Sequence, residues 1–393
     1  MPVPSGNDPV GAAPVRLAAP DIQAGDLERA LRCIQSGNLV QGPQVAEFEQ
    51  KIAGYTGLPH CAVVSSGTAA LHLALLALQV PAGASVIVPA FTYPATANVV
   101  EIIGARTVLC DVEPGSYVLS ARTLQQAFDG CPQGSVAAVM PVHEFGYPVQ
   151  IAEIARICRE RGARVIEDAA CAFGTQADGG HPGLHGDLAC LSFHPRKAVT
   201  TGEGGAVLAR DAALMERVRD LRNHGMRVNG ISREFVLAGL NYRMTDFQAA
   251  LGIGQIGRFA RELDDRRALA AVYCRELAGQ SQLELPQLPP GHALQTFMVV
   301  LADAIDRDAV ASGMREHGIE CGPAAQALNC LQYFRERYGL RPEHFPVATR
   351  LYRQGLALPM HGRVSPQDVS RVCARLHDVL ASSGVRARPA PAG

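Results

Sequence analysis

Between residues 61 and 167 the chain alternates between two textures. Short apolar runs at residues 61–64, 86–88, 107–110, 136–142 and 164–167 are separated by stretches with helical periodicity, from Thr68 and at residues 94–103, 121–128 and 151–161. Strands this apolar, separated by helices, mean a mostly parallel sheet covered on both faces. Such sheets bind their ligands beyond the carboxyl ends of the strands. At those ends stand the residues most able to do chemistry: Ser66, Gly67 and Thr68, then Phe91, Thr92 and Tyr93, then His143, Asp168, and Ser192 with Lys197.

The flanking segments set the domain layout. Residues 26–36 and 45–56 read as amphipathic helices, the first with Leu27, Leu31 and Ile34 on one side. Residues 211–221 form another helix, and 226–239 is a looser polar stretch suited to a substrate or interface loop. A long helix capped by Thr245 or Asp246 runs to about residue 277, with a bend near its glycines at 252–257. Past residue 283 the strands and helices are shorter, and Ser365 followed by Pro366 opens the last helix. The expected fold class is therefore α/β, with a large domain over residues 21–262 and a smaller C-terminal α/β domain over 263–381. Residues 1–20 read as a loose arm without the pattern of a secretory signal, and 382–393 as a loose tail.

Composition removes several function classes. A net charge of -1 argues against a nucleic-acid binder working by bulk charge, while a local site for a small anion stays open. The longest apolar runs, such as residues 71–80, are too short to cross a bilayer, so no membrane partner is expected. The 11 cysteines are scattered through apolar strands and helices, which reads as buried free thiols in a reducing cytoplasm. Cys171, His181, His185 and Cys190 match no compact zinc spacing, and no metal is expected.

Lys197 lies between two apolar strands and beside a glycine-rich turn at residues 201–205. Lysine is costly to bury unless paired or reacted, so Lys197 is a candidate for covalent work; the alternative is an ordinary edge lysine. Ser66, Gly67 and Thr68 open a helix, where free N–H groups attract anions; the alternative is a plain N-cap. Neither this turn nor residues 202–205 carries the P-loop pattern. Asp168 is followed by small residues that leave room for a flat ligand, and it reads equally as an N-cap. Tyr93 is a packing aromatic or a plate for a ring, and His143 a core histidine or a contact to the same ligand.

Four strings in this order and spacing carry a resemblance: SSGTAAL at residues 65–71, EDAA at 167–170, SFHPRK at 192–197 with TTGEGG at 200–205, and NYRM at 241–244. Together they resemble the DegT/DnrJ/EryC1/StrS family of pyridoxal-phosphate-dependent sugar aminotransferases, over residues 25–380. The resemblance implies the fold type I of PLP-dependent transferases, like that of aspartate aminotransferase, and pyridoxal 5'-phosphate as cofactor. Under it, Lys197 stands where the family lysine links to the cofactor and Asp168 where a carboxylate pairs with the ring nitrogen. Gly67, Thr68 and Ser192 match phosphate-binding positions, and Tyr93 matches an aromatic that stacks on the ring. Asn241 matches an asparagine that reaches the phosphate held by the other subunit, which implies a homodimer with shared active sites. Cys171 departs from the glutamine or histidine common near the ring hydroxyl, and Glu144 from the residues usual after the family histidine.

The implied reaction is ping-pong transfer of an amino group from an amino acid, L-glutamate by resemblance, to a keto sugar on a nucleotide, a 3- or 4-keto deoxysugar. His143, His224, Arg227, Arg243 and residues 331–338 are candidates to meet this substrate. A keto cyclitol or other non-nucleotide ketone would suit the same core. Dehydratases of this fold have histidine in place of the lysine, which Lys197 disfavours. A catalytically silent regulatory protein is disfavoured by the intact Lys197 and Asp168.

Overall fold

The computed structural model describes residues 13–382. Its first part contains strands β1 (His60–Val64), β2 (Ser85–Pro89), β3 (Phe91–Thr92), β4 (Arg106–Cys110), β5 (Val136–Val139), β6 (Arg164–Asp168), β7 (Leu188–Ser192) and β8 (Gly205–Ala209). All but β3 join one seven-stranded sheet in the order β1-β8-β7-β6-β5-β2-β4. β8 runs antiparallel to both neighbours, and the remaining pairings are parallel. This is the fold type I arrangement that the resemblance implied.

The helices of this part are α1 (Ala24–Ser36), α2 (Pro43–Thr56), α3 (Gly67–Ala77), α4 (Ala95–Ile102), α5 (Ala121–Asp129), α6 (Ile151–Glu160), α7 (Ala212–Arg222) and α8 (Asp246–Glu276). Alternate strand residues serve opposite faces of the sheet. Ala62, Val64, Val86, Val88 and Ile166 share a core with α3, α4 and α7. On the other face, Val63, Leu191 and Ala206 meet α2 and α8, while Ile87, Val139 and Val165 meet α5 and α6. Burying one Val or Leu side chain is worth about 1.5–3 kcal/mol. The doubly covered sheet is thus a rigid platform for whatever its strand ends carry.

α8 opens on a capping box between Thr245 and Gln248 and continues as one helix through its glycines. The glycines near which a bend was expected lie inside one uninterrupted helix, and two of them serve packing. A Cβ at Gly252 would lie 2.6 Å from the Phe48 ring, and one at Gly254 would strike the Asp26 carboxylate. The first half of α8 belongs to the core beneath the sheet and the second half, from Leu269, to a separate core. Residues 226–239, expected as a loose stretch, contain a hairpin of β9 (Met226–Asn229) and β10 (Ser232–Phe235).

The smaller domain holds β11 (Leu283–Glu284), β12 (Phe297–Leu301) and β14 (Gly355–Leu358) as an antiparallel sheet. β13 (Gln326–Ala327) instead pairs with β3, tying this domain to the large one. Its helices are α9 (Arg307–Glu316), α10 (Gln332–Tyr338), α11 (Pro346–Gln354) and α12 (Pro366–Ser382). Tyr273, Phe297, Leu356, Val372 and Leu376 are among its core residues.

One further expectation changes. Residues 13–20 are not loose: Val15 is buried, bridges Ile319, and helps form the smaller domain's core. Residues 1–12 and 383–393 lie outside the described residues. The apolar stripe of α1 does not face the core: Leu27, Leu31 and Ile34 are 57%, 53% and 49% exposed. α1 docks on α8 through its other side, where Arg258 pairs with the buried Asp26. Among the described residues no helix is long and apolar enough to cross a membrane.

Candidate active site

β6 and β7 run in register, Asp168 beside Cys190, so Asp168 and Ser192 emerge at one edge of the sheet. After Ser192 the chain folds back before entering β8. The N–H of Phe193 donates to the Gly204 carbonyl at 2.8 Å, that of Thr201 to Phe193 at 3.0 Å, and that of Lys197 to His194 at 2.8 Å. Gln295 grips this loop on both sides of the lysine. Its side-chain amide accepts from the Ala198 N–H at 3.0 Å and donates to the Arg196 carbonyl at 2.6 Å.

Lys197 is partly buried, and its Nζ donates to Cys171 Sγ at 2.9 Å. Burial pushes the amine down, but Cys171, Glu144 and Asp168 together outweigh it and hold Lys197 above the usual lysine value. Asp168 is buried, with Oδ2 accepting from Thr96 Oγ1 at 2.8 Å and Oδ1 from the Ala170 N–H at 3.1 Å. Burial raises its pKa, and those hydrogen bonds and Lys197 offset it only in part. A carboxylate in that condition is stabilised by a cation placed beside it. A protonated pyridine nitrogen is such a cation, so Asp168 and the adjacent amine fit pyridoxal phosphate.

The phosphate end fits as well. Ser66 caps α3, its Oγ accepting from the Ala69 N–H at 3.0 Å. Helix geometry leaves the N–H groups of Gly67 and Thr68 without intrahelical acceptors, and the exposed Thr68 adds a hydroxyl. A Cβ at Gly67 would lie 2.9 Å from Ser192 Cβ, and one at Gly205 would lie 2.5 Å from the Ser66 carbonyl oxygen. Both glycines are therefore needed to bring Ser192 against the start of α3. The NYRM string lies alongside: the Ser65 N–H donates to the Tyr242 carbonyl at 2.9 Å, and Arg243 bridges Val64. Asn241 is exposed next to this string, and Tyr93 is 70% exposed just past β3.

Other predicted residues are engaged elsewhere. His143 is fully buried, with Nε2 at 2.9 Å from Glu167 Oε2 and Nδ1 accepting from the Val149 N–H at 3.2 Å. Both ring nitrogens are used, so His143 is a structural histidine and not a substrate contact. Arg227 forks onto Asp220 and also pairs with Glu216, which occupies its guanidinium on the hairpin. In residues 331–338, Tyr333, Arg337 and Tyr338 all converge on Glu101 of α4. Arg243 donates to Asn223 at 2.6 Å and is partly exposed, while the exposed His224 adopts a left-handed φ of 60° at the base of the hairpin. Cys171, His181, His185 and Cys190 form no metal cluster; among the described residues no group of three or more His, Cys, Asp or Glu is placed to hold an ion. Thr96 and Gln295 were not anticipated. Thr96 reads as one more small residue in a helix, and Gln295 meets the lysine loop across 97–99 residues of sequence.

Comparison with known proteins agrees with this geometry. The DegT/DnrJ/EryC1/StrS aminotransferase family matches residues 20–377. A GDP-perosamine synthase from Caulobacter vibrioides is 34% identical over 372 residues, covering 93% of this chain and 98% of the relative. The crystal structure of the aminotransferase TlmJ from Streptoalloteichus hindustanus superposes with a TM-score of 0.86 at 29% identity, covering 93% of this chain and 99% of that one. A Streptococcus pneumoniae protein described as a sugar aminotransferase, solved in its PLP form, shares the fold with a TM-score of 0.87 at 23% identity, covering 93% of this chain and 98% of that one. The chain belongs to the DegT/DnrJ/EryC1/StrS aminotransferase family and is a pyridoxal-phosphate-dependent transaminase.

Proposed function

We propose that this chain moves an amino group from L-glutamate to a nucleotide-linked 3- or 4-keto deoxysugar in a ping-pong reaction. The observation that carries the reading is the convergence of Lys197, Asp168 and the uncovered start of α3 at one edge of the sheet. Pyridoxal phosphate, bound there, supplies a carbonyl that takes up the amino group and a ring that accepts electrons. Asp168 keeps a proton on the ring nitrogen. Lys197 would hold the cofactor and, as a free amine, would carry the proton between the substrate carbon and the cofactor carbon that takes up the amino group. Gly67, Thr68 and Ser192 hold the phosphate with N–H and hydroxyl groups, and Tyr93 covers the ring.

The likeness to a GDP-perosamine synthase supports a nucleotide-linked acceptor over a keto cyclitol. His224 and Arg243 are the rim residues assigned to that acceptor. The chain works as a homodimer. Exposed Leu27, Leu31 and Ile34 on α1, with Val228 and Phe235 on the hairpin, support a second copy that covers them. Asn241 then completes the partner's phosphate site. The free thiols suit a reducing, cytoplasmic setting.

The test is the absorbance spectrum of the purified enzyme before and after excess glutamate, with no acceptor present. A visible band that bleaches supports the donor half-reaction, and nucleotide keto sugars should then restore it. A band that persists with glutamate, glutamine and other amino acids contradicts the reading.

A further inference from the structure

Thr96 is a hydroxyl that reaches the base of the site from a separate element. It stands in the first turn of α4, three residues after Tyr93, and is fully buried. Its Oγ1 has three polar neighbours: Asp168 Oδ2 at 2.8 Å, the Tyr93 carbonyl at 3.2 Å and Thr92 Oγ1 at 3.2 Å. A hydroxyl carries one proton. The carboxylate is both the nearest of the three acceptors and the charged one, so the proton goes to Asp168. A hydrogen bond between the two threonines then runs from Thr92 to Thr96.

Both ends of this contact are fixed. Ala97, Val99 and Val100 bury α4 in the core it shares with α3 and the sheet. β3, which leads into α4, pairs Thr92 with Gln326 of β13, and the Leu328 N–H donates to the Ala90 carbonyl at 2.7 Å. The branched Cβ of threonine restricts its first side-chain torsion in a helix. At the other end the Asp168 N–H donates to the Pro141 carbonyl at 2.8 Å, and the Asp168 carbonyl accepts from the His143 N–H at 3.0 Å. The Ala170 N–H occupies Oδ1 at 3.1 Å. Each carboxylate oxygen of Asp168 therefore has its own donor, and the two donors come from different elements. We propose that Thr96 is a positioning residue for the transamination, holding Asp168 Oδ2 so that the carboxylate stays charged and in one orientation. The proposal rests on Asp168 being the partner of the cofactor's ring nitrogen.

Orientation and charge both depend on this hydroxyl. The terminal torsion of an aspartate is broad, so a carboxylate without fixed donors samples many orientations. With Thr96 removed, the Ala170 N–H alone would restrain it. Burial raises the Asp168 carboxyl, and the Thr96 hydroxyl comes first among the groups that oppose the rise, ahead of the Ala170 N–H, Lys197 and His143. Loss of the hydroxyl favours the neutral carboxyl, which no longer keeps a proton on the ring nitrogen. Thr96 and Asp168 are both buried, so a side chain of the same shape without the hydroxyl leaves no room for water to replace it. Thr96 acts through Asp168 and does not itself meet the reacting atoms.

The experiment follows the isotope-labelled ring nitrogen of bound pyridoxal phosphate by NMR, in the wild type and in Thr96→Val, Thr96→Ser and Asp168→Asn. Alongside it, the rate at which glutamate bleaches the visible band is measured across glutamate concentration. Thr96→Val keeps the shape of the side chain and removes the hydroxyl. Its nitrogen resonance should move from the protonated toward the unprotonated position. Its limiting bleaching rate should fall about tenfold, the scale of one lost hydrogen bond to a charged group, with the half-saturating glutamate concentration unchanged. Thr96→Ser should return the resonance to the wild-type position and recover most of the rate. Where Thr96→Val fails to fold, Thr96→Ala removes the same hydroxyl and is read in the same way. A wild-type resonance in the variant lacking the hydroxyl, or a serine variant as impaired as the valine one, overturns the proposal and leaves the role of Asp168 intact. A ring nitrogen that stays protonated in Asp168→Asn would instead overturn the assignment of Asp168.

Discussion

The floor and the rim of the site are built in opposite ways. On the floor, Lys197, Asp168 and Cys171 find partners within this chain: a thiol, a hydroxyl, a backbone N–H group and one another. On the rim, Tyr93, Thr68, Asn241 and His224 are exposed, and the apolar stripe of α1 faces solvent. A single chain therefore positions the reacting groups but leaves their cover unfinished. Under the proposed homodimer, proton and electron chemistry belong to the fold of one chain, and enclosure of the cofactor and recognition of the acceptor to assembly with a second copy.

The largest expected effect is on the floor. Lys197→Ala should lower turnover by about 10^4-fold or more, measured in steady state with glutamate and a nucleotide keto sugar, because it removes both the covalent anchor and the proton carrier. Asp168→Ala should follow at about 10^3-fold, since the ring nitrogen loses the charge that keeps it protonated. Near-normal turnover in either variant would break the comparison from the floor side.

The rim should respond to assembly. Leu31→Glu lies on an exposed face, so the monomer should keep its fold within about 0.5 kcal/mol. The same charge should push sedimentation from dimer toward monomer and take activity with it. A Leu31→Glu protein that stays dimeric and active would show that α1 faces something else. The smallest effect belongs to the clamp between the two domains. Gln295→Ala should cost about tenfold in kcat with a smaller change in KM, because the lysine loses orientation while the phosphate site is untouched. A change confined to KM would mean that Gln295 serves binding.

The floor was largely legible in the sequence, and the reason is local. Asp168 ends an apolar strand and Lys197 follows one, so periodicity alone brings both to the sheet edge. The string SSGTAAL likewise announces a helix start. Long-range partners were hidden. Nothing near His143 reveals that Glu167, 24 residues on, takes its ring nitrogen. Nothing near Arg227 reveals its ion pair with Asp220, seven residues back and off the usual helical spacings. The stripe of α1 was read correctly as apolar and one-sided, but periodicity reports that a face needs covering without saying what covers it. Buried Asp26 on the opposite side, paired with Arg258 across 232 residues, is the contact that turned the helix round.

The central claim is that the floor is complete in one chain and the rim is not. The most direct test mixes Lys197→Ala chains with Asn241→Asp chains, each inactive alone, under conditions where subunit exchange has been verified. Half of the dimers would then be mixed, and each mixed dimer has one site free of both changes. The account predicts recovery of about one quarter of wild-type activity. No recovery after verified exchange would mean that Asn241 serves its own chain's site, and that the floor and rim belong to the same subunit.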